Sequence, residues 1–339
     1  MESRQGIDKK VLIIQTAFIG DVILATSLVE AVAASYPMLA ISMLVRKGNE
    51  SVLECNPHIN KVLVWDKSRK FAELGRLIKE VRDAKYEVVI CLQRFATMGL
   101  LAALAGAKEV VGYEQNPLSW LFGKRIKFET DGRHEVERNL ELARLALPKV
   151  EMRKPRVYVN DLELGNLQPV DSYVVVAPAS VWATKTLPLG QWEALVKNLD
   201  SRLKVCYIGG KGDFELIEKL RLATGRGENL AGKLSLRQSG RLIAGAVMTY
   251  SNDSAPMHLA SATDSPVCAF FCSTVPKFGF GPLASESYIV QETIGLTCRP
   301  CGLHGQRKCG EGHFLCGKLP EMQLAASYAN TKLATLLES

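Results

Sequence analysis

Apolar residues in this chain come in short continuous blocks, each followed by a longer stretch of mixed character. Val11–Ile14, Ala40–Val45, Val62–Trp65, Glu87–Leu92 and Val110–Tyr113 read as buried strands. The stretch from Gly20 to Tyr36 and the segments Lys70–Arg82 and Thr97–Leu104 read as helices between them. Such βαβα alternation predicts a parallel sheet covered by helices on both faces. The pattern breaks over Lys149–Asp171, which is rich in charge and proline and contains Val157–Val159 as a further strand. It then restarts with Tyr173–Val176, the helix Leu189–Leu199, Lys204–Ile208, a helix from Phe214, the helix Leu236–Ala246, Val247–Tyr250, a helix from Pro256 and Val267–Phe271. The expected architecture is α/β: two doubly wound domains facing a cleft, over residues 1–165 and 166–320, with 321–339 a C-terminal helix packing back toward the first domain.

A length of 339 residues agrees with two domains. Hydrophobic content of 47% and charged content of 23%, with no low-complexity run or solenoid repeat, exclude a disordered or fibrous chain. The net charge of +7 favours an anionic partner, although mild basicity is also common without one. Lys9-Lys10 before an apolar run superficially resembles an export signal, but Asp21 and Glu30 break the apolar character soon after Gly20. The other uncharged stretch, Phe95–Ala107, falls well short of the roughly 20 residues of a membrane span. These features predict a cytoplasmic protein able to touch a membrane surface.

In open α/β sheets ligands bind beyond the carboxyl ends of the strands, so the loops there are where chemistry is sought. Three stand out. "TAFIGD" ends in Gly20-Asp21, where a carboxylate serves either as a general base or as a cap on the first helix. "APASVWATKTLP" carries Ser180 and Lys185, and a lysine there can balance a diphosphate without a metal. "SNDSAPMH" places Ser254 as a helix cap, Pro256 near the first helical position and the small Ala255 between them, leaving backbone N–H groups for a phosphate. His258, one turn in, is either a ligand contact or a core histidine.

Of nine cysteines, Cys55, Cys91, Cys206, Cys268 and Cys272 are scattered, several in apolar runs suited to a small buried hydrophobe. The other four, Cys298, Cys301, Cys309 and Cys316, are clustered with His304 and His313 nearby, which is the donor inventory of a tetrahedral zinc site. Their spacing is not that of a standard finger, so a structural metal, reduced thiols and disulfides all remain open.

Taken in order, "GDVILATSLVEAV", the Lys185 loop and "NDSAPMHLASA" followed by "PVCAFFCST" resemble glycosyltransferase family 9, the ADP-heptose:lipopolysaccharide heptosyltransferases, particularly the heptosyltransferase II branch. The resemblance implies a GT-B fold of two Rossmann-like domains, the acceptor bound to the first and the nucleotide sugar to the second. It implies an inverting, metal-independent transfer of a heptose from an ADP-activated donor to an anionic lipopolysaccharide inner-core acceptor at the inner face of the inner membrane, with no nucleic acid involved. Asp21 becomes the candidate base. Ser180, Lys185, Asp253, Ser254, Ala255 and His258 become donor contacts, and Gly20 and Arg94 acceptor contacts. No cofactor is implied for catalysis, and a structural zinc is left to the cysteines. The departure is Ala255, where the family usually has glycine; alanine is harmless there unless the backbone needs a positive φ. A nucleotide-sugar 2-epimerase of the same fold is the rival reading. A zinc-stabilised nucleic-acid-binding protein is the alternative of a different class, weakened because Lys and Arg are dispersed and not interleaved with aromatics.

Overall fold

The computed structural model describes residues 9–165 and 171–338, without the side chains of residues 70 and 71. The chain divides into two compact units at Tyr158/Val159, seven residues before the expected boundary. In the first, the strands are β1 (Lys10–Gln15), β2 (Ala40–Arg46), β3 (Ile59–Trp65), β4 (Val88–Cys91), β5 (Glu109–Tyr113) and β6 (Lys124–Ile126). Its helices are α1 (Ile19–Ser35), α2 (Lys70–Ala84), α3 (Ala96–Ala103) and α4 (Glu135–Arg144). The second unit has β7 (Tyr173–Ala177), β8 (Lys204–Tyr207), β9 (Glu228–Asn229), β10 (Met248–Asn252), β11 (Val267–Phe271) and β12 (Ser287–Gln291). With them come α5 (Leu189–Asn198), α6 (Phe214–Thr224), α7 (Leu236–Ala244), α8 (Ala255–Ala262), α9 (Leu315–Lys318) and α10 (Met322–Glu338).

The first sheet runs β3-β2-β1-β4-β5-β6 and the second β12-β11-β10-β7-β8-β9, with parallel pairing throughout. Numbered from its own first strand, the second sheet repeats the order of the first. Each unit is therefore doubly wound with a single reversal of direction, between β1 and β4 and between β7 and β10. The crevice at such a reversal is where ligands of these sheets bind. Register puts Ile14 beside Cys91 in one sheet and Ala177 beside Ser251 in the other. The loops after those strands are thereby brought together by the strand pairing itself.

Central strands are buried along their length apart from Lys10 at the start of β1, as the uninterrupted apolar runs require. Helix α1 is buried along most of its length, which explains its lack of a polar stripe. One expectation changes: Val157–Val159 forms no strand but lies along α1, where the Arg156 N–H donates to Thr26 Oγ1 at 2.9 Å and the Tyr158 hydroxyl to Glu30 at 3.1 Å. The C-terminal helix α10 contributes Met322, Ala325, Ala326, Ala329 and Leu333 to the core of the second unit.

Candidate functional site

In the first unit, the crevice beyond β1 and β4 has a polar floor. Gln15, Thr16 and Gln93 are buried there, with the Gln93 amide donating to the Gln15 side-chain oxygen. Asp21 does not lie in a loop but in the first turn of α1, half-buried, where its Oδ2 accepts the Phe18 N–H at 3.2 Å. The capping role is thus real, and it occupies one carboxylate oxygen at the positive end of the helix. Gly20 is the second helical residue, not the pivot of a tight turn. Arg94, directly after β4, lies over the Phe128 ring at 4.0 Å from its centroid, and Arg138 approaches the same ring at 4.9 Å. Arg138 pairs with Glu135 at 2.9 Å, the two side chains only 2% and 8% exposed.

In the second unit, the loops after β7 and β10 meet. Lys185 Nζ lies 2.6 Å from Asp253 Oδ2, with side chains 15% and 7% exposed, and Thr274 Oγ1 donates to the same carboxylate oxygen at 2.7 Å. Asn252, fully buried at the end of β10, donates to the Pro178 carbonyl at 2.9 Å and accepts the Leu187 N–H at 3.0 Å. One amide therefore closes both ends of the Lys185 loop onto the sheet. Ser180, half-buried, sits within that loop.

Ser254 occupies the N-cap position of α8 but makes no capping bond. Its hydroxyl turns back to Ser251 Oγ at 3.2 Å and the Asn252 carbonyl at 3.4 Å, away from the helix. Ala255 begins α8 in helical conformation, so the glycine usual at this position is not needed for backbone freedom. His258 is buried on α8. A helix start, a lysine paired with Asp253 and a small residue are thus brought together at this reversal.

Sequence reasoning identified Lys185, Asp253 and Asp21 but missed Asn252, Thr274, Gln93, Phe128 and Arg138. Asn252 was the legible one, a polar residue ending an apolar strand.

Four of the scattered cysteines behave as expected: Cys91, Cys206, Cys268 and Cys272 are buried, and burial pushes the thiols of Cys91 and Cys206 up to about 12. Cys55 is exposed. The clustered four line one cavity of about 190 Å³ together with His313. Among the described residues no group of three metal-ligating side chains stands at ligand spacing. Among the described residues no helix is long and apolar enough to cross a membrane.

Two Rossmann-ordered sheets in tandem are the plan of a GT-B fold, and the solved structures agree. The structure of Escherichia coli ADP-heptose lipopolysaccharide heptosyltransferase II matches with a TM-score of 0.80 at 20% identity, covering 96% of this chain and 99% of that one. E. coli heptosyltransferase WaaC, solved with ADP-2-deoxy-2-fluoro heptose, matches with a TM-score of 0.70 at 20% identity, over 84% and 93%. By sequence, lipopolysaccharide heptosyltransferase 1 of Pseudomonas aeruginosa is 26% identical over 309 residues, covering 86% of each chain. Residues 74–307 match glycosyltransferase family 9 (heptosyltransferase), and the chain belongs to that family.

Proposed function

We propose that this protein transfers a heptosyl group from ADP-heptose to the inner core of lipopolysaccharide, in a single inverting displacement that uses no catalytic metal, at the cytoplasmic face of the inner membrane. The observation that carries the reading is the Lys185–Asp253 pair beside the uncapped start of α8, at the reversal point of the second sheet. The acceptor hydroxyl oxygen attacks the anomeric carbon from the face opposite the diphosphate. The carbon–oxygen bond to the diphosphate breaks with its electron pair staying on the leaving oxygen, and the hydroxyl proton passes to Asp21. Negative charge growing on the diphosphate meets the Lys185 ammonium and the first-turn N–H groups of α8. Asp253 keeps that ammonium aimed and partly desolvated before the donor arrives, so little reorganisation is left to the reaction. Arg94 offers a cationic contact to an anionic acceptor.

The test is a thermal-shift screen of ADP-, UDP- and GDP-linked sugars, followed by transfer assays with a heptose-deficient lipopolysaccharide acceptor. ADP-heptose at about 100 times its Kd should stabilise the protein by about 2.7 kcal/mol. Stabilisation by a UDP- or GDP-sugar alone, or the absence of acceptor-dependent ADP release, would overturn the reading.

A further inference from the structure

The segment 292–314, between β12 and α9, contains no helix or strand. From residue 293 to 315 no residue is fully buried; Leu296 and Phe314 pack against the core, and the Arg299 side chain ties the segment to Glu292 and to the Phe271 and Thr274 carbonyls. It is also bonded to the Thr184–Lys185 loop. Thr184, the buried neighbour of Lys185, donates its N–H to the Gln306 carbonyl at 3.1 Å, while its Oγ1 accepts the Gln306 N–H at 2.7 Å and the Ser273 hydroxyl at 2.9 Å. The Cys301 N–H donates to the Ser273 carbonyl at 2.9 Å. Gly305, at φ +75°, comes so close that a Cβ there would stand 3.1 Å from Lys185 Cγ. Behind this contact lies the cavity lined by Cys298, Cys301, Cys309, Cys316 and His313, with Cys298 Sγ 3.9 Å from His313 Nε2.

We propose that Cys298, Cys301, Cys309 and Cys316 bind one thiophilic divalent ion, Zn²⁺ or Fe²⁺, and that the ion-bound segment fixes the Thr184–Lys185 turn in place. The sulfurs line one cavity but do not stand at ligand spacing, so binding draws the cysteine side chains inward onto the ion. Each thiol releases its proton on binding, and four thiolates around a divalent ion leave a site charge of about −2. Arg307 and Lys308, interleaved with the ligands, offset that charge, while Arg299 is paired with Glu292. The ion takes no part in bond making. Its effect on the donor rests on the role proposed for Lys185, whereas its presence does not, so the two can fail separately.

The experiment measures metal by elemental analysis on the full chain purified under reducing conditions without added metal, with a thiol-reagent titration before and after chelation. About one equivalent of metal is expected, its element distinguishing zinc from iron. Chelation should expose four further thiols, lower the melting temperature, and be reversed by adding Zn²⁺ or Fe²⁺. Four reactive thiols in metal-free native protein that neither ion protects would overturn the site, as would four thiols missing from denatured, unreduced protein, which signals disulfides. For the positioning role, Thr184→Val should keep the metal but raise the donor KM about tenfold with kcat changed less than about twofold, and Thr184→Ser should restore KM. An unchanged KM in Thr184→Val would overturn the positioning half and leave the metal site standing.

Discussion

Replacing Lys185 by alanine has two effects that can be separated. The lysine is the ion-pair partner of Asp253 at 2.6 Å, and both side chains are largely withdrawn from water. Without it the carboxylate retains the Thr274 hydroxyl at 2.7 Å but loses its neutralising charge. Deleting one member of a buried pair costs about 3–5 kcal/mol because it leaves an uncompensated charge, and partial access of water to Lys185 favours the lower end. A loss of about 3 kcal/mol corresponds to a fall of about 6–12 °C in melting temperature for a unit of this size. Independently, losing the cation beside the leaving group should cost about 2–4 kcal/mol in the transition state, or about 30- to 900-fold in kcat/KM. Lys185→Ala combined with Asp253→Asn distinguishes the two: without an orphaned anion it should recover most of the stability and none of the transfer rate. Differential scanning calorimetry and a coupled ADP-release assay read the two quantities. If the double variant transferred sugar at near the wild-type rate, Lys185 would be a structural residue only, and an unchanged melting temperature in Lys185→Ala would show that the pair does not stabilise the fold.

Asp21→Asn should still accept the Phe18 N–H through its amide oxygen, and the loss of a carboxylate at the helix N-terminus costs about 0.3–1 kcal/mol, so stability should hold within about 1 kcal/mol. It cannot take a proton, so transfer should slow by about 10²–10⁴ with donor affinity little changed, and a rate near wild type would remove Asp21 as the base. Arg202 holds the Asp200 carboxyl down at about 2, and Arg221 does the same to Glu218, from ordinary values of 3.8 and 4.5. Because these folded-state values are depressed, the stability they contribute is fully present above about pH 4.5 and is lost as pH falls toward 2; urea midpoints should drop over that window, less steeply in Asp200→Asn. Iodoacetamide at about pH 8 should label exposed Cys55 and leave Cys91 and Cys206 untouched, because burial keeps those two thiols protonated; peptide mass mapping reads the outcome.

The central strands were legible because burial on both faces demands unbroken apolar runs, and Val267–Phe271 agrees to the residue. Of the four edge strands only β3 was legible, through Val62–Trp65. Lys124 and Arg125 of β6 are charged and exposed, and β9 is only two residues long, so neither strand carries a pattern to read. Helix α4 was readable but not identified: Val136, Leu140 and Ala143 recur at helical spacing after an acidic first turn. Val157–Val159 misled because an apolar stretch lying over a helix looks like a strand in sequence. At the site, position after a strand pointed to Lys185 and Asp253. That they would pair with each other, and that Thr274 from the loop after β11 would join them, depends on which strands become neighbours, and nothing local encodes that. Asp21 was visible as a residue type, but its place in the first turn of α1 was hidden by a glycine that invites a turn and instead takes helical conformation.

The division of the chain has a consequence for its synthesis. The first unit completes its sheet within residues 10–126 and its contacts by Tyr158, so it can fold on the ribosome before any of the second emerges. The second has no such freedom. Its core includes Leu333 and Ala329 of α10 alongside Val174 and Val176 of its first strand, so its opening and closing segments must meet before that core is whole. While translation covers the residues between, at about 5–20 residues per second, β7 waits for seconds to tens of seconds with part of its apolar cover still unmade. A nascent chain halted short of Leu333 would therefore carry a finished first unit tethered to an unfinished, aggregation-prone second one.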